Sequence, residues 1–307
     1  MSRKKDIMII LTIFLFGIVF FCLPGQILAK SVRLVAAHVS PVDSPYTPGF
    51  NKFKEIIEKE TNGEIKVSVH PAGELGGNED ILVQKMHTGT VDVIITSASF
   101  LAQTAKEADL FSLLYLFKDS GHWARVLDGS PGKQMAKIVE DKTDFKVLGY
   151  WSAGVRHYFG NRPVTTPNDL KSVKIRVHTS PVIRDTWIAL GAQPTNVAFT
   201  ELYQALQNKV VDAGENSFTY IYKMKFYEVS PYVSLTSHDF AVRFFLMSDK
   251  KFAKLTPLQK LIVEKAAHEA TVVEREADYI SMVEDIETLK KLGSKINRVD
   301  ADSFLKL

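Results

Sequence analysis

Arg176 interrupts the alternating run Val173-Lys174-Ile175-Arg176-Val177, in which Val173, Ile175 and Val177 face one side. Lys174, Arg176 and His178 face the other. A guanidinium stays charged, and its planar fork of donors is matched best by a carboxylate. That partner can be internal or a bound molecule. Other groups suited to holding an anion stand nearby: Arg156 after Gly154-Val155, Phe199 ahead of a helical pattern, and Asn216 at the end of Val211-Asp212-Ala213-Gly214-Glu215-Asn216. Strand ends in α/β sheets are where ligands usually sit. Each also has a plain structural reading: Arg156 pairing with an acid, Phe199 packing in the core, Asn216 capping a turn.

Catalytic patterns fail in turn. His268-Glu269 begins like a zinc-protease helix, but Val272 stands where the second histidine is needed. Gly129-Ser130-Pro131-Gly132-Lys133 has the small residues of a phosphate loop without its spacing, and Gln134 replaces the required hydroxyl. Asp128 precedes Ser130 where a nucleophile elbow requires glycine. A hydrolase-like enzyme would need a nucleophile with a paired base, and His38, Asp43 and Ser44 are loop residues of ordinary kinds. No cofactor motif accompanies them.

The elements that must position these residues alternate between strand and helix. Strands are expected at 32–37, 65–69, 91–96 and 146–151, with helices opened by Pro48 and by Gly77-Asn78 and a third at 132–139. A second lobe is expected from Gly154, with a strand at 173–177, helices at 181–190 and 200–207, and a strand at 210–212. A strand at 241–247 leads back. Thr256-Pro257 opens a helical pattern that nothing breaks before Gly293. At 1.5 Å per residue such a helix runs about 52 Å, enough to brace two lobes. The fold class expected is a two-lobe α/β binding protein (type II-like), with hinge crossings and that long C-terminal helix. Lobe I comprises 30–153 with 242–281, and lobe II 154–241 with 282–307.

The N-terminus reads as a secretory leader at 1–29. Arg3, Lys4 and Lys5 precede an apolar run from 7 to 23, Pro24-Gly25 breaks it, and cleavage is expected after Ala29. The alternative is an uncleaved anchor, which would suit a ligand-binding sensory domain. Cys22 is the only cysteine, so the mature chain would have no disulfide and no thiol chemistry. Removing 1–29 takes the formal charge from +3 to about +1, which exerts no global pull toward nucleic acid or anionic membranes.

The ordered pieces Gly154-Val155-Arg156, Asn161-Arg162-Pro163, 169–177, Leu190-Gly191-Ala192-Gln193-Pro194, 199–207 and 211–216 resemble solute-binding proteins of tripartite ATP-independent periplasmic (TRAP) transporters, dicarboxylate-binding type. Glu74-Leu75-Gly76-Gly77, Gly89-Thr90-Val91-Asp92 and Leu114-Tyr115-Leu116-Phe117 fit the same pattern, and the resemblance runs from about 32 to 290. It implies a periplasmic receptor, not an enzyme, that captures a small carboxylate by lobe closure. Delivery would be to the small and large integral membrane subunits of a transporter. By resemblance, Arg176 makes the double hydrogen bond to the ligand carboxylate, and Arg156 contacts it or a neighbouring polar group. Asn216 bonds the ligand from the other side, and Phe199 packs against it. Glu74 holds a first-lobe polar position, and its acid side chain favours a hydroxylated ligand such as a sugar acid over a plain dicarboxylate. His38, Ser97, Trp151 and His238 lie where substrate-specific contacts fall.

Overall fold

The computed structural model describes residues 31–306, and the leader read at 1–29 lies outside them. Nine strands form one mixed sheet. They are β1 (Val32–Ala37), β2 (Ile65–His70), β3 (Val93–Ser97), β4 (Phe145–Gly160), β5 (Lys174–Val177), β6 (Gln193–Asn196), β7 (Ala213–Asn216), β8 (Tyr232–Ser248) and β9 (Lys295–Asn297). The order across the sheet is β2-β1-β3-β8-β4-β7-β5-β6, with β9 beside β8. Helices α1 (Tyr46–Glu60), α2 (Glu79–His87), α3 (Ala98–Leu101), α4 (Ser120–Asp128), α5 (Ser130–Lys142) and α6 (Pro181–Ala189) cover it. So do α7 (Leu202–Gln207), α8 (Phe218–Lys223), α9 (Phe226–Val229), α10 (Asp249–Ala253), α11 (Pro257–Lys291) and α12 (Ala301–Leu305). Among the described residues no helix is long and apolar enough to cross a membrane.

The middle of the sheet is an antiparallel pair of unusual length. β4 spans 16 residues and β8 spans 17, paired from Phe145 opposite Ser248 to Gly160 opposite Tyr232. At ~3.3 Å per residue each strand is about 50 Å long, matching the 35-residue α11, which packs on β4. The expected strands at 146–151 and 241–247 are the apolar halves of these ribbons. Their other halves, 152–160 and 232–240, mix polar and apolar residues and extend both strands beyond the expected bounds. The pairing slips between Ser152 and Val155, a bulge at which Gly154 takes φ +72°. A Cβ there would lie 2.8 Å from that of Ser217, so glycine serves both the left-handed turn and the close approach of the residue after Asn216.

The strand expected at 210–212 is instead the end of a turn, and β7 begins at Ala213. Lys209 at φ +57° closes α7, and the Val210 amide bonds back to the Ala205 carbonyl, so these residues finish a helix. Two buried apolar clusters result. The larger joins β1, β3, β4 and β8 to α1 and α11. The smaller gathers Ile175, Val177, Trp187 and Phe304 around β5, α6 and α12.

The long helix begins at a capping box: the Thr256 hydroxyl accepts from the Gln259 amide and the Gln259 side chain returns the bond, with Pro257 in the first turn. It grips β4 at the bulge. The Trp151 indole donates to Thr271 Oγ1 at 3.0 Å, the Ser152 amide to Glu274 Oε2 at 3.0 Å, and the Ser152 hydroxyl to Asp278 Oδ2 at 2.7 Å. Both acids are buried. Burial raises Asp278 to about 6 with Asp285 adding to the effect, while the Ser152 hydrogen bond and Arg243 oppose it. A raised carboxyl pKa means the folded state holds a proton that the unfolded chain releases between about pH 4 and 6. Its contribution to stability is therefore lost as pH rises through that window. Asp278→Asn, which cannot ionise, should gain on the parent by about 2 kcal/mol between pH 4.5 and 7.5, followed by urea unfolding. A difference constant over that range would show Asp278 titrating as an ordinary carboxyl group.

Candidate functional site

One narrow cavity collects side chains from distant parts of the chain. Ser40 follows β1, Glu79 opens α2, Arg176 lies on β5, Asn216 ends β7, Tyr220 belongs to α8 and Arg243 to β8. Phe199 lies just ahead of α7 and also lines the cavity, its ring edge-on to that of Tyr220. An adjoining cavity shares His178 and Arg243 as walls and adds Ser97, Arg156 and Asp239.

Three buried arginines meet in this region, and they are not equivalent. Arg156 is about 1 % exposed. Its Nε and Nη2 donate to the two carboxylate oxygens of Glu215, the Nη2 bond to Oε1 being 2.8 Å, and Nη2 also reaches the Glu215 carbonyl at 2.7 Å. The pairing of Tyr158 with Glu215 across β4 and β7 holds the two side by side. Burial alone would raise the Glu215 carboxyl, but the charge of Arg156 and hydrogen bonds from His238 and Arg156 bring it well below its ordinary value. Arg156 Nη1 donates to Asn216 Oδ1 at 3.0 Å, and the Ser217 amide donates to the same oxygen. Because arginine only donates, this fixes the Asn216 oxygen toward Arg156 and leaves the amide NH₂ for the cavity it lines.

Arg243 makes the second pair. Its Nη1 donates to both oxygens of Glu79 at 3.2 Å, and Glu79 also accepts from the Ser97 amide at 2.6 Å and the Thr96 hydroxyl at 3.3 Å. Arg243 Nε has no partner among the described residues.

Arg176 is the third, also about 1 % exposed, and it has no acid within ion-pair distance among the described residues. Its Nε donates to the Val197 carbonyl at 2.9 Å, while Nη1 is buried without a partner. Burial pulls its pKa down to about 10, with the Glu215 charge opposing and Arg156 adding, so it stays charged at neutral pH. His178 beside it is kept neutral, first by burial and then by the Arg176 charge.

The structure thus brings Arg176, Asn216 and Phe199 to one cavity, with Arg156 and Ser97 on its neighbour. Ser97 Oγ bonds Ser99 Oγ at 2.8 Å. His238 supports from behind, its Nε2 3.4 Å from Glu215 Oε2 and its Nδ1 2.7 Å from Thr236 Oγ1. Three expected residues fall elsewhere. Glu74 is 55 % exposed and pairs with His70 at 3.0 Å, because it lies in the turn before α2 and not in that helix's first residues. Trp151 is fully buried against Phe50 and Phe245, on the core side of β4. The His38 ring stacks on Phe50 and bonds Thr47, and burial lowers its pKa to about 4. Ser40, two residues on, lines the cavity in its place. Glu79 and Arg243 were missed. Arg243 carries the same signal as Arg176, a charge inside the apolar run 241–247.

A family model described as bacterial extracellular solute-binding protein, family 7, matches residues 36–304. The chain belongs to that family. Among solved structures, a TRAP periplasmic solute-binding protein from Roseobacter denitrificans with bound L-galactonate is 33% identical. It aligns over 90% of this chain and 91% of its own, with a TM-score of 0.86. One from Sulfitobacter with bound β-D-galacturonate is 29% identical over 89% of this chain and 91% of its own, with a TM-score of 0.87. The C4-dicarboxylate-binding protein DctB of Bacillus subtilis is 34% identical over 76% of this chain and 67% of its own. The mixed α/β fold described above is shared with these family 7 structures, and the family and these relatives are binding proteins.

The two kinds of buried arginine predict opposite behaviour in the ligand-free protein. Arg156→Met strands Glu215 in the interior and should destabilise by about 3–5 kcal/mol in urea unfolding. Arg176→Met removes an unpaired buried charge and should cost less than about 1 kcal/mol or stabilise. The reverse order of stabilities would show that Arg176 has an internal counter-ion.

Proposed function

We propose that this protein captures a small organic acid outside the cytoplasm and delivers it to a TRAP-type secondary transporter. The observation that carries the reading is Arg176, a buried, charged guanidinium facing a cavity with no acid of its own. A ligand carboxylate supplies the missing charge and accepts from Nη1. The Asn216 amide gives a second donor, and Phe199 closes one side as an apolar wall. Arg156 then acts through Asn216 and Glu215, as a positioning group in place of the direct contact expected for it. Sugar acids bound by the Roseobacter and Sulfitobacter proteins support a hydroxylated acid here.

Capture would work by closure of two lobes, 30–153 with 242–281 and 154–241 with 282–307, about the β4–β8 crossing. Pairing of β9 with β8 and the place of Phe304 in the smaller apolar cluster support assigning the C-terminal residues to the second lobe. The N-terminal leader would direct the chain to the periplasm, with cleavage after Ala29. There the small and large integral membrane subunits would receive the loaded protein. Isothermal calorimetry against four- to six-carbon organic acids tests the reading. Arg176→Met should weaken binding of every responding acid by a hundredfold or more, about 3 kcal/mol. Undiminished affinity in that variant would sink the arginine-anchor model.

A further inference from the structure

Helix α11 carries apolar residues on the side where water should be. Its buried side centres on Val263, Ala267, Ala270, Glu274 and Asp278. At about 100° per residue the pole opposite that side should be polar, as on any helix lying against a core. Instead Leu258, Leu261, Val272, Tyr279, Ile280 and Val283 stand there, each 47–66 % exposed. A single exposed apolar side chain is ordinary, but six along one line of one helix mark a contact surface.

The line has an internal order. Leu258, Glu269 and Ile280 recur at eleven residues, as do Leu261, Val272 and Val283, and so do Lys265 and Glu276. An eleven-residue repeat stays close to the helix's own period, so the line runs nearly straight for ~39 Å and a second straight helix can follow it. It also reads alike from either end: two aliphatic residues, a charge, a centre at Glu269 and Val272, a charge, two aliphatic residues. A second α11 turned end for end about the midpoint of Ala270 and Thr271 sets Leu258 opposite Val283 and Leu261 opposite Ile280. Lys265 of each copy then meets Glu276 of the other. A parallel pairing would instead set Lys265 against Lys265 and Glu276 against Glu276. Within one copy Lys265 reaches Glu60 at 2.6 Å, while Glu276 has no ion-pair partner among the described residues.

We infer that this face joins two copies of the chain, which pair antiparallel through α11 about a two-fold axis. Such an axis makes each contact twice, as a self-complementary surface requires. A strip ~39 Å long and ~10 Å wide buries roughly 800 Å² over both copies, less than stable complexes bury. The dimer is therefore reversible, with a dissociation constant on the order of 10–100 µM. Acids beside the line, Glu264, Glu269, Glu276 and Glu284, disfavour an anionic membrane as the occupant. No residue of α11 lines the Arg176 cavity, so pairing and ligand capture use separate residues.

Sedimentation equilibrium of the exported protein from about 5 to 500 µM should show monomers passing to dimers. Lys265→Glu sets glutamates against each other twice and should weaken the dimer about tenfold or more. Glu276→Lys should do the same through paired lysines, and the two changes together should restore it. Both positions are exposed, and urea unfolding of each variant reports its folding separately. Leu261→Cys with Ile280→Cys should give disulfide-linked dimers on mild oxidation, and neither single variant should. Across the axis each position lies about 28 Å from its own copy, and Cys22, in the leader, is the only native thiol. A monomer across the whole concentration range overturns the inference, whether or not phosphatidylcholine vesicles then capture the chain. So does a dimer indifferent to the charge exchange, or one cross-linked by Leu261→Cys alone. None of these outcomes bears on the carboxylate-receptor reading.

Discussion

An arginine taken out of water loses more solvation than its apolar neighbours return, and a carboxylate at hydrogen-bond distance is what makes its burial tolerable. Three buried arginines meet at the centre of this protein, and that constraint orders everything near them. Glu215 answers Arg156 from the next strand, and Glu79 answers Arg243 from the first turn of α2. Both acids are tied down by further donors: the His238 ring for one, and the Ser97 amide and Thr96 hydroxyl for the other. Only Arg176 departs from the rule. It lines a cavity without an acid of its own, which sets it apart from the two paired arginines.

The architecture holds those charges in place by a few local devices. β4 and β8 pair over nearly their whole lengths, which places Arg243 opposite Trp151 and, past the bulge, Asp239 opposite Arg156. The bulge at Ser152–Val155 re-aims β4, and Gly154 lets Ser217 approach closely enough for Asn216 to accept from Arg156. On the other side of the same bulge, Glu274 and Asp278 of α11 bond Ser152. The helix thus fixes the segment carrying the site without touching the cavity. Burying aromatic residues such as Trp151 and Phe245 there, at about 1.5–3 kcal/mol each, offsets the cost of burying those acids.

Much of this was legible in the sequence where local signals agree. The bounds of α11 follow from Thr256-Pro257 at one end and Gly293 at the other, and β1 from its apolar run. β7 was not legible, because Ala213-Gly214-Glu215-Asn216 has no strand propensity and is a strand only through its neighbours β4 and β5. Arg176 was found by a charge inside an alternating run. The same test would have found Arg243, which was passed over in a run read only as apolar. Glu74 drew attention through a motif, whereas position in the helix decides the matter: five residues on, Glu79 points from the start of α2 toward Arg243. Trp151 and His38 show the limit of sequence position. A residue beside a lining segment faces the core as readily as the cavity, and only the packing of Phe50 and Phe245 settles which.

The distribution of groups between the proposed lobes gives the site a division of labour. Arg176, Phe199, Asn216 and Tyr220 all come from 154–241, while Ser40, Glu79 and Arg243 come from the other lobe. A ligand shifts a conformational equilibrium only by the difference in its affinity for the two states. On the proposed lobe division the carboxylate anchor belongs to one lobe alone, so it does not by itself account for closure. On the proposed closure, Ser40, Glu79 and Arg243 would meet the ligand only as the facing lobe comes over it. On the proposed reading, affinity rests mainly with Arg176, and closure with the groups of the facing lobe.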